Sequence, residues 1–236
     1  MADNGNASAL PHPQRLGRAV ILLGPPGAGK GTQAQRISQW YGLPHLSTGD
    51  MFRDHIRRDT EFGRRAKPLM ERGELVPDEI VLSMVEDRIA QPDCANGFVF
   101  DGFPRTQAQA DDLVQICEKL HFGATIVIHM KVDPDLLMRR LTGRRICKAN
   151  GHIYNIYDRP PKHEGICDVD GSELIHRHDD TEGVISERLL AYSAQTLPLV
   201  NYYRGRGLLT SVDAMAEVDK VSESIKKILN GAEVSK

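Results

Sequence analysis

The stretch Gly24-Pro25-Pro26-Gly27-Ala28-Gly29-Lys30-Gly31-Thr32 decides the fold of this 236-residue chain. It has the spacing GxxxxGK, and it follows an aliphatic run at 18–23 that predicts a strand buried on both faces. Apolar residues then recur at helical spacing from Lys30 to Tyr41. A glycine-rich turn between a buried strand and a helix is the context in which this spacing binds phosphate groups.

The chemistry of the loop follows from its residue types. The glycines let backbone N–H groups point into the loop, the helix start adds partial positive charge, and Lys30 reaches the outer phosphates. One position departs from the usual pattern, because Gly31 stands where Ser or Thr normally ligates Mg²⁺ directly. We therefore expect the metal to be held differently, which disfavours a GTPase or a motor ATPase.

Beyond the loop, predicted strands alternate with predicted helices. The strands are expected at 98–100, 124–130 and 207–212, and the helices at 107–120, 134–141 and 218–229. A further helix start is indicated by Asp179-Asp180-Thr181-Glu182. This alternation predicts an α/β fold, a doubly wound parallel sheet with helices on both faces.

Two stretches interrupt the alternation and are interpreted as inserts. The first, 47–76, is helical and rich in arginine, whereas the second, 143–180, is rich in glycine and histidine and predicts a small β-rich unit, with a β-prone piece at 152–157. The core is then expected at 18–46, 77–142 and 181–230. The remaining segments, 1–17 and 231–236, are expected to be tails, the first of them flexible.

Composition excludes several functional classes. Lys+Arg 30 against Asp+Glu 32 gives a net charge of −2, so no global basic field favours nucleic acid. The longest apolar runs are far shorter than the ~20 residues that span a bilayer, and the first 17 residues lack the pattern of a secretory signal. We therefore expect no membrane partner and a cytoplasmic location. The four cysteines form no CxxC pair, which favours reduced thiols.

Three further segments carry a family resemblance: Ser47-Thr48-Gly49-Asp50, Phe100-Asp101-Gly102-Phe103-Pro104-Arg105-Thr106 and Gly143-Arg144-Arg145. Together with the glycine-rich loop, they closely resemble the adenylate kinases, members of the nucleoside-monophosphate kinase family, in the form with a long lid. The resemblance covers about residues 19–229. It implies the reversible, Mg²⁺-dependent reaction ATP + AMP ⇌ 2 ADP, with 47–76 as the AMP-binding insert and 143–180 as the lid.

The resemblance implies a role for each site residue. The residues expected to bind ATP are Gly27, Ala28, Gly29, Lys30, Gly31, Thr32, Arg140, Arg144, Ile153, Tyr154 and Ala216. The residues expected to bind AMP are Thr48, Arg53, Glu74, Leu75, Val76, Gly102, Phe103, Pro104, Arg105, Gln109, Arg177 and Arg188. Thr48 and Gln109 favour AMP over CMP or UMP, with Gln109 contacting the adenine edge through its amide.

The residues expected to be catalytic are Lys30, Arg105, Arg144, Arg177 and Arg188. A planar guanidinium fork suits phosphate, which supports Arg53 and Arg105 as the clamp on the AMP phosphate. Asp101 follows a predicted strand as a Walker-B acid does, and it is expected to hold Mg²⁺ through water. Because the attacking AMP oxygen is already ionised near neutral pH, catalysis needs alignment and charge neutralisation rather than a general base.

The lid raises a second metal question. In some adenylate kinases a zinc tetrad occupies the positions that here hold Cys147, Asn150, Cys167 and Asp170. Cys147, Cys167 and Asp170 can ligate zinc but Asn is a poor ligand, and His152 lies two residues beyond the pattern. The sequence therefore favours a metal-free polar network over structural zinc, with a labile disulfide as a further alternative. No chemistry is assigned to Cys94 or Cys117.

Two other functions stay open on the sequence alone. The shared motifs also permit a sister kinase that uses GTP or another monophosphate, and, from a different class, a nucleotide-binding switch without turnover. The expected small-molecule partners are ATP, AMP and ADP. The family suggests a monomer.

Overall fold

The computed structural model describes residues 18–120, 122 and 125–231. Its centre is a five-stranded parallel sheet in the order β2-β3-β1-β4-β8. These strands are β1 (Arg18–Leu23), β2 (His45–Ser47), β3 (Gly97–Asp101), β4 (Ile126–Lys131) and β8 (Leu209–Asp213). The order places β1 in the middle, so the glycine-rich loop that follows β1 opens at the carboxyl edge of the sheet.

Helices cover both faces of this sheet. Those of the core are α1 (Lys30–Tyr41), α4 (Asp78–Ile89), α5 (Gln107–Lys119), α6 (Pro134–Thr142), α7 (Glu182–Ala191), α8 (Leu199–Gly205) and α9 (Val218–Gly231). Alternate residues of β1 enter two different hydrophobic clusters. Ala19, Ile21 and Leu23 pack with α4, α5 and α8, whereas Val20 and Leu22 pack with α1 and α9. The predicted doubly wound α/β fold is thereby confirmed.

The two inserts have the predicted characters. The first contains α2 (Thr48–Arg57) and α3 (Glu61–Arg72), and the second contains a three-stranded antiparallel sheet in the order β6-β5-β7. Its strands are β5 (Arg144–Cys147), β6 (Ile153–Asn155) and β7 (Leu174–Ile175). The lid core is small, formed by Cys147, Tyr154, Cys167 and Leu174.

Element boundaries differ from the sequence prediction by a few residues. The strand expected at 98–100 runs from Gly97 to Asp101, so Asp101 ends the strand rather than following it. The strand expected at 207–212 begins at Leu209, because Gly207 has the positive φ of 70° typical of a turn. Residue 124, and the tails predicted at 1–17 and 231–236 except Gly231, lie outside the described residues.

Several elements were not predicted from the sequence: β2, α4, α8 and a turn of π-helix at Tyr192–Thr196. Within the described residues, no helix combines the length and apolar character that a bilayer crossing requires.

Candidate active site

The loop between β1 and α1 holds its lysine against its own backbone. Lys30 Nζ donates to the carbonyls of Gly24 and Pro25, each at 2.9 Å. Gly27 and Gly29 have φ values of 85° and 86°, in the left-handed region that side chains with a Cβ rarely adopt. The loop therefore curls around the lysine amine, and its conformation requires glycine at these two positions.

Burial alters the acidity of Lys30. Its desolvation lowers the pKa of the amine to about 8, an effect that the carboxylate of Asp101 opposes and the guanidiniums of Arg105, Arg188 and Arg144 reinforce. The lysine thus lies in a region of accumulated positive charge. Such a region is suited to binding a polyanion.

Five arginines from separate segments line the same cleft as Lys30, a space of about 560 Å³: Arg53, Arg105, Arg144, Arg177 and Arg188. They come from α2, from the turn after β3, from the two ends of the lid and from α7. The fold therefore brings together all the cations that the sequence placed at the transfer point.

Three aspartates hold four of these arginines. Asp180, whose side chain is fully buried, accepts from Arg144 Nε at 2.8 Å and Arg144 Nη2 at 2.5 Å, and from Arg188 Nη1 at 3.1 Å. Asp50 accepts from Arg53 Nη2 at 2.5 Å and from Arg177 Nη2 at 3.1 Å. Asp179 lies 3.4 Å from Arg188 and 3.5 Å from Arg53. These ion pairs orient the guanidinium planes towards one region of the cleft.

Arg105 is held without a carboxylate. Its Nε donates to the Gly102 carbonyl at 2.8 Å, and no acid of the described residues lies within ion-pair distance. Burial, reinforced by the charge of Arg188, lowers the pKa of its guanidinium to about 10. Thr196, in the π-helical turn, donates to the Arg105 carbonyl at 2.9 Å and so fixes the backbone that carries this side chain.

Asp101 stands at the end of β3 beside Lys30. Burial opposes its ionisation, but the nearby His45, whose Nε2 lies 3.7 Å from Asp101 Oδ2, and the charge of Lys30 outweigh burial and keep the pKa of Asp101 below its ordinary value. A Cβ at Gly31 would lie 3.2 Å from Asp101 Oδ2 and 3.1 Å from Ile153 Cδ1. Glycine at this position therefore leaves room for the carboxylate and for the lid.

A second, smaller pocket of about 50 Å³ opens between the first insert and the turn after β3. Thr48, Val76 and Gln109 line it, together with Glu74 and Leu75, which also line the main cleft. Gln109 is only 1% exposed, and both ends of its amide already have protein partners, Asp78 and the backbone of Arg105. The amide is thus held in one orientation.

Side-chain hydrogen bonds connect the lid to the core. Gln35 of α1 donates to the Gly151 carbonyl at 3.1 Å, and Asn155 of β6 donates to the Arg140 carbonyl at 2.8 Å. Ile153 lies against Gly31 of the glycine-rich loop. Tyr154 also lines the cleft, but it is 5% exposed and its hydroxyl faces Cys167, so it belongs chiefly to the lid core.

Comparison with known proteins identifies the family. Residues 22–208 match the family model described as adenylate kinase. The chain belongs to the adenylate kinase family. Curated proteins named adenylate kinase include one from Clostridium botulinum (strain Loch Maree / Type A3), 48% identical over 89% of this chain and 97% of the relative. Another, from Geobacillus sp. (strain WCH70), is 47% identical over 90% of this chain and 98% of the relative. A third, from Oceanobacillus iheyensis, is 48% identical over 89% and 98%.

Family membership confirms the predicted enzyme class and reaction. An adenylate kinase is a nucleoside-monophosphate kinase, which transfers a phosphoryl group in the reaction ATP + AMP ⇌ 2 ADP. The sequence alone left open a sister kinase and a non-catalytic switch. These three relatives carry neither description, since all are named adenylate kinase.

One residue predicted to bind AMP in this adenylate kinase fold lines neither the cleft nor the small pocket. The ring of Phe103 is 1% exposed and packs against Phe100 with centroids 5.0 Å apart. The turn that carries Arg105 is thereby anchored in the hydrophobic core, while its neighbours Gly102 and Pro104 line the cleft. Phe103 is therefore a packing residue, because its ring lies in one hydrophobic cluster with Phe98 and Phe100 of β3.

The sequence reasoning missed four residues that organise the site: Asp50, Asp179, Asp180 and Thr196. Asp50 belongs to the motif Ser47-Thr48-Gly49-Asp50, whereas Asp179 and Asp180 were interpreted only as part of a helix start. The helix does begin there, at Glu182 with Thr181 as its N-cap, but the carboxylate of Asp180 binds Arg144 and Arg188 instead. No sequence signal marks Thr196.

The lid cluster differs from its sequence prediction in one ligand. The donor atoms of Cys147, His152, Cys167 and Asp170 all lie within 4.8 Å of one another. His152 Nδ1 is 3.3 Å from Cys167 Sγ and 3.3 Å from Asp170 Oδ2. The turn after β5 therefore brings His152 into the cluster, although His152 lies two residues beyond the position that the sequence pattern gives to a ligand.

Cys94 and Cys117 belong to no cluster of metal-ligating side chains among the described residues, and Cys94 Sγ accepts from Arg88 Nη1 at 3.2 Å. Both are buried, and burial raises the pKa of each thiol to about 11, as expected of ordinary core cysteines.

Proposed function

We propose that this adenylate kinase transfers the phosphoryl group at the point where Lys30 and the five arginines Arg53, Arg105, Arg144, Arg177 and Arg188 converge. The single observation that carries the proposal is this convergence in one cleft of cations from five separate parts of the chain: the loop, α2, the turn after β3, the lid and α7. Two polyphosphates that meet end to end repel each other strongly. Fixed cations around the meeting point reduce that repulsion and stabilise charge in the transition state.

The donor nucleotide is assigned to the loop side of the cleft. Gly27 to Thr32 would enclose the ATP phosphates with backbone N–H groups, and Lys30 would exchange the carbonyls of Gly24 and Pro25 for phosphate oxygens. Arg140 and Arg144 lie beside the loop, and Ile153 and Ala216 line the same region. The lid position over Gly31 supports exclusion of water during transfer.

The acceptor nucleotide is assigned to the other side. Arg53 and Arg105 face the cleft as forks that suit an AMP phosphate, and the small pocket lined by Thr48, Val76 and Gln109 suits its base. Arg177 and Arg188 lie between the two sides. No general base is needed, since the attacking phosphate oxygen is already ionised.

Asp101 is the residue that fits Mg²⁺. Its carboxylate is ionised, lies at the carboxyl edge of the sheet next to the loop, and has space beside Gly31. Bound Mg²⁺ supplies charge neutralisation of the donor phosphates. Because Gly31 offers no hydroxyl, Asp101 is expected to hold the ion through water.

The lid cluster fits zinc with His152 as the fourth ligand. Tetrahedral zinc with bonds of about 2.0 to 2.3 Å separates its ligand atoms by about 3.3 to 3.8 Å. Cys147 Sγ lies 3.2 Å from Asp170 Oδ2, close to that separation. Asn150, whose presence made zinc unfavourable on the sequence alone, instead donates from Nδ2 to Asp170 at 2.7 Å and orients the carboxylate.

The sulfur atoms of this cluster also receive hydrogen bonds suited to thiolates. The backbone N–H of Asn150 points to Cys147 Sγ at 3.4 Å. Tyr154 lies 3.4 Å from Cys167 Sγ, and because its oxygen accepts from the Asp168 N–H, its proton is available to the sulfur. We therefore favour zinc over the metal-free network.

A coupled assay tests the main proposal. The purified protein with Mg²⁺ should form two ADP from ATP and AMP, and it should prefer AMP to CMP and UMP and ATP to GTP. A protein that binds ATP but forms no ADP in a single-turnover experiment would be a nucleotide-binding switch. The monomeric state and cytoplasmic location expected from the sequence stay predictions.

A further inference from the structure

Asp78, the first residue of α4, links the exit of the first insert to the start of α5. Its Oδ1 accepts from Gln109 Nε2 at 2.7 Å, and its Oδ2 accepts from Thr106 Oγ1 at 2.8 Å. Neither the family resemblance nor the predicted site included Asp78. The contact with Gln109 gives it a place beside the small pocket.

The amide of Gln109 is held at both ends by groups that cannot exchange roles. Its Oε1 accepts from the backbone N–H of Arg105 at 2.8 Å, and a backbone N–H only donates. Its Nε2 donates to Asp78, and an ionised carboxylate only accepts. A turn of the amide by 180° would place acceptor against acceptor and donor against donor, so the orientation is fixed by chemistry.

The bonds to Arg105 and Asp78 leave one lone pair on Oε1 and one N–H on Nε2. Adenine presents an amino donor at N6 next to an acceptor at N1, which matches that remaining pair. Hypoxanthine and guanine present the reverse, an acceptor at O6 next to an N1–H donor. An amide fixed in this orientation therefore accepts adenine and opposes the 6-oxopurines.

We infer that Asp78 is a positioning residue that selects adenine over 6-oxopurines in the acceptor nucleotide, acting through the amide of Gln109. The inference rests on the proposed function, since it takes the small pocket as the site of the AMP base. Asp78 itself touches no substrate.

The test compares kcat/KM for AMP and for inosine monophosphate, a 6-oxopurine acceptor. In Asp78→Ala the amide loses one of the two groups that fix its orientation and keeps only the Arg105 N–H, so the AMP:IMP preference should fall about tenfold or more. Asp78→Asn should keep the preference within about threefold, because its amide oxygen can still accept from Gln109 while its NH₂ donates to Thr106. An unchanged ratio in a folded Asp78→Ala overturns the inference.

The matched control is Glu79→Ala. Glu79 is also an acid in the first turn of α4, but it pairs with Arg65 on the surface at 3.0 Å. Glu79→Ala should leave the AMP:IMP ratio unchanged. A general effect of losing an acid at the helix start would instead appear in both Asp78→Ala and Glu79→Ala. In a Gln109→Ala background, Asp78→Ala should change the ratio no further, because the two residues act as one unit.

Two outcomes separate this inference from the proposed function. A wild-type protein that does not phosphorylate AMP contradicts the proposed function, whereas a wild type with normal AMP activity and an insensitive Asp78→Ala contradicts only the role of Asp78. Should Asp78→Ala fail to fold, a crystal structure of the wild type with AMP decides. Gln109 Nε2 bonded to both Asp78 and adenine N1 supports the inference, and release of Gln109 from Asp78 overturns it.

Discussion

Arg177 of the lid donates from Nη2 to Oδ1 of Asp50 in the first insert at 3.1 Å, across 127 residues of sequence. The contact joins the two inserts over the cleft, at the place where the two nucleotides are proposed to meet. Burial, reinforced by the nearby charges of Arg53 and Arg144, lowers the pKa of Arg177 to about 9. Arg177 therefore lies in a cation-rich site, where phosphate oxygens can replace Asp50 as its partner.

The substitution Arg177→Lys should lower kcat about 10- to 100-fold. Lysine keeps the charge but loses the planar fork that can bond two phosphate oxygens at once. Because the contact is proposed to matter most during transfer, KM for ATP and for AMP should change only a few-fold. Steady-state kinetics with each substrate varied will measure this split, and a rise in KM at constant kcat would assign Arg177 to ground-state binding alone.

Lys30→Ala and Arg105→Ala should each slow phosphoryl transfer by about three or more powers of ten. Each removes a cation from the point of transfer without emptying the hydrophobic core, so the circular dichroism spectrum and melting temperature should stay close to wild type. The measurement is single-turnover formation of ADP. Near-normal turnover in either folded variant contradicts the assignment.

The amine of Lys30 should titrate near pH 8 in the free protein. Burial favours the neutral form, so the amine is charged below pH 8 and loses its proton as the pH rises through that value. NMR of lysine labelled with ¹³C at Cε will report the midpoint. Asp101→Asn should lower the midpoint, because that carboxylate raises the pKa, and saturating ATP should raise it. A midpoint at or above 10 in the free protein contradicts the burial of this amine.

Gly63→Ala should destabilise the first insert by about 1 to 3 kcal/mol or more. A Cβ there would lie 2.3 Å from the His55 carbonyl oxygen, where α3 crosses the end of α2, and backbone cannot move aside cheaply. KM for AMP should rise more than KM for ATP. Gly183→Ala, in α7 with no atom within 4 Å of the new Cβ, is the control and should leave stability unchanged or slightly higher. Equal melting temperatures for the two variants would contradict the close packing of α2 and α3.

The purified protein should contain about one equivalent of zinc, bound in the lid. His152→Asn should remove most of it, while Asn150→Ala should keep the metal with roughly 10- to 100-fold weaker affinity. Metal analysis by mass spectrometry gives the content, and Co²⁺ substitution should give the charge-transfer absorption of thiolate ligands. A wild type that stays metal-free in zinc-containing buffer restores the hydrogen-bonded network that the sequence favoured.

Much of the core could be predicted because its signals are local. The loop at 24–32 shows its glycines and lysine in the sequence, and the buried runs at 19–23 and 126–130 are largely apolar. Elements with weak local signals were missed. The strand β2 has three residues, and in α4 the partly buried Leu82 extends the apolar run 80–82 beyond the buried face, which blurs the helical period.

The missed parts of the site depend on contacts between distant segments. Arg144 lies 36 residues from Asp180, and Arg177 lies 127 residues from Asp50, so only the fold shows that these pairs meet. His152 enters the lid cluster through a turn whose path the spacing did not reveal. Motif positions therefore identified the cations, whereas the acids and amides that orient them required the structure.

The convergence of the guanidiniums is tested most directly by a crystal structure of the protein with ADP and Mg²⁺. The account predicts that Lys30, Arg53, Arg105, Arg144, Arg177 and Arg188 each place a nitrogen about 2.7 to 3.2 Å from a phosphate oxygen. It also predicts that Asp50 and Asp180 give up at least part of their arginine contacts to the nucleotides. Arginine side chains that extend into solvent, with the phosphates bound elsewhere, would contradict it.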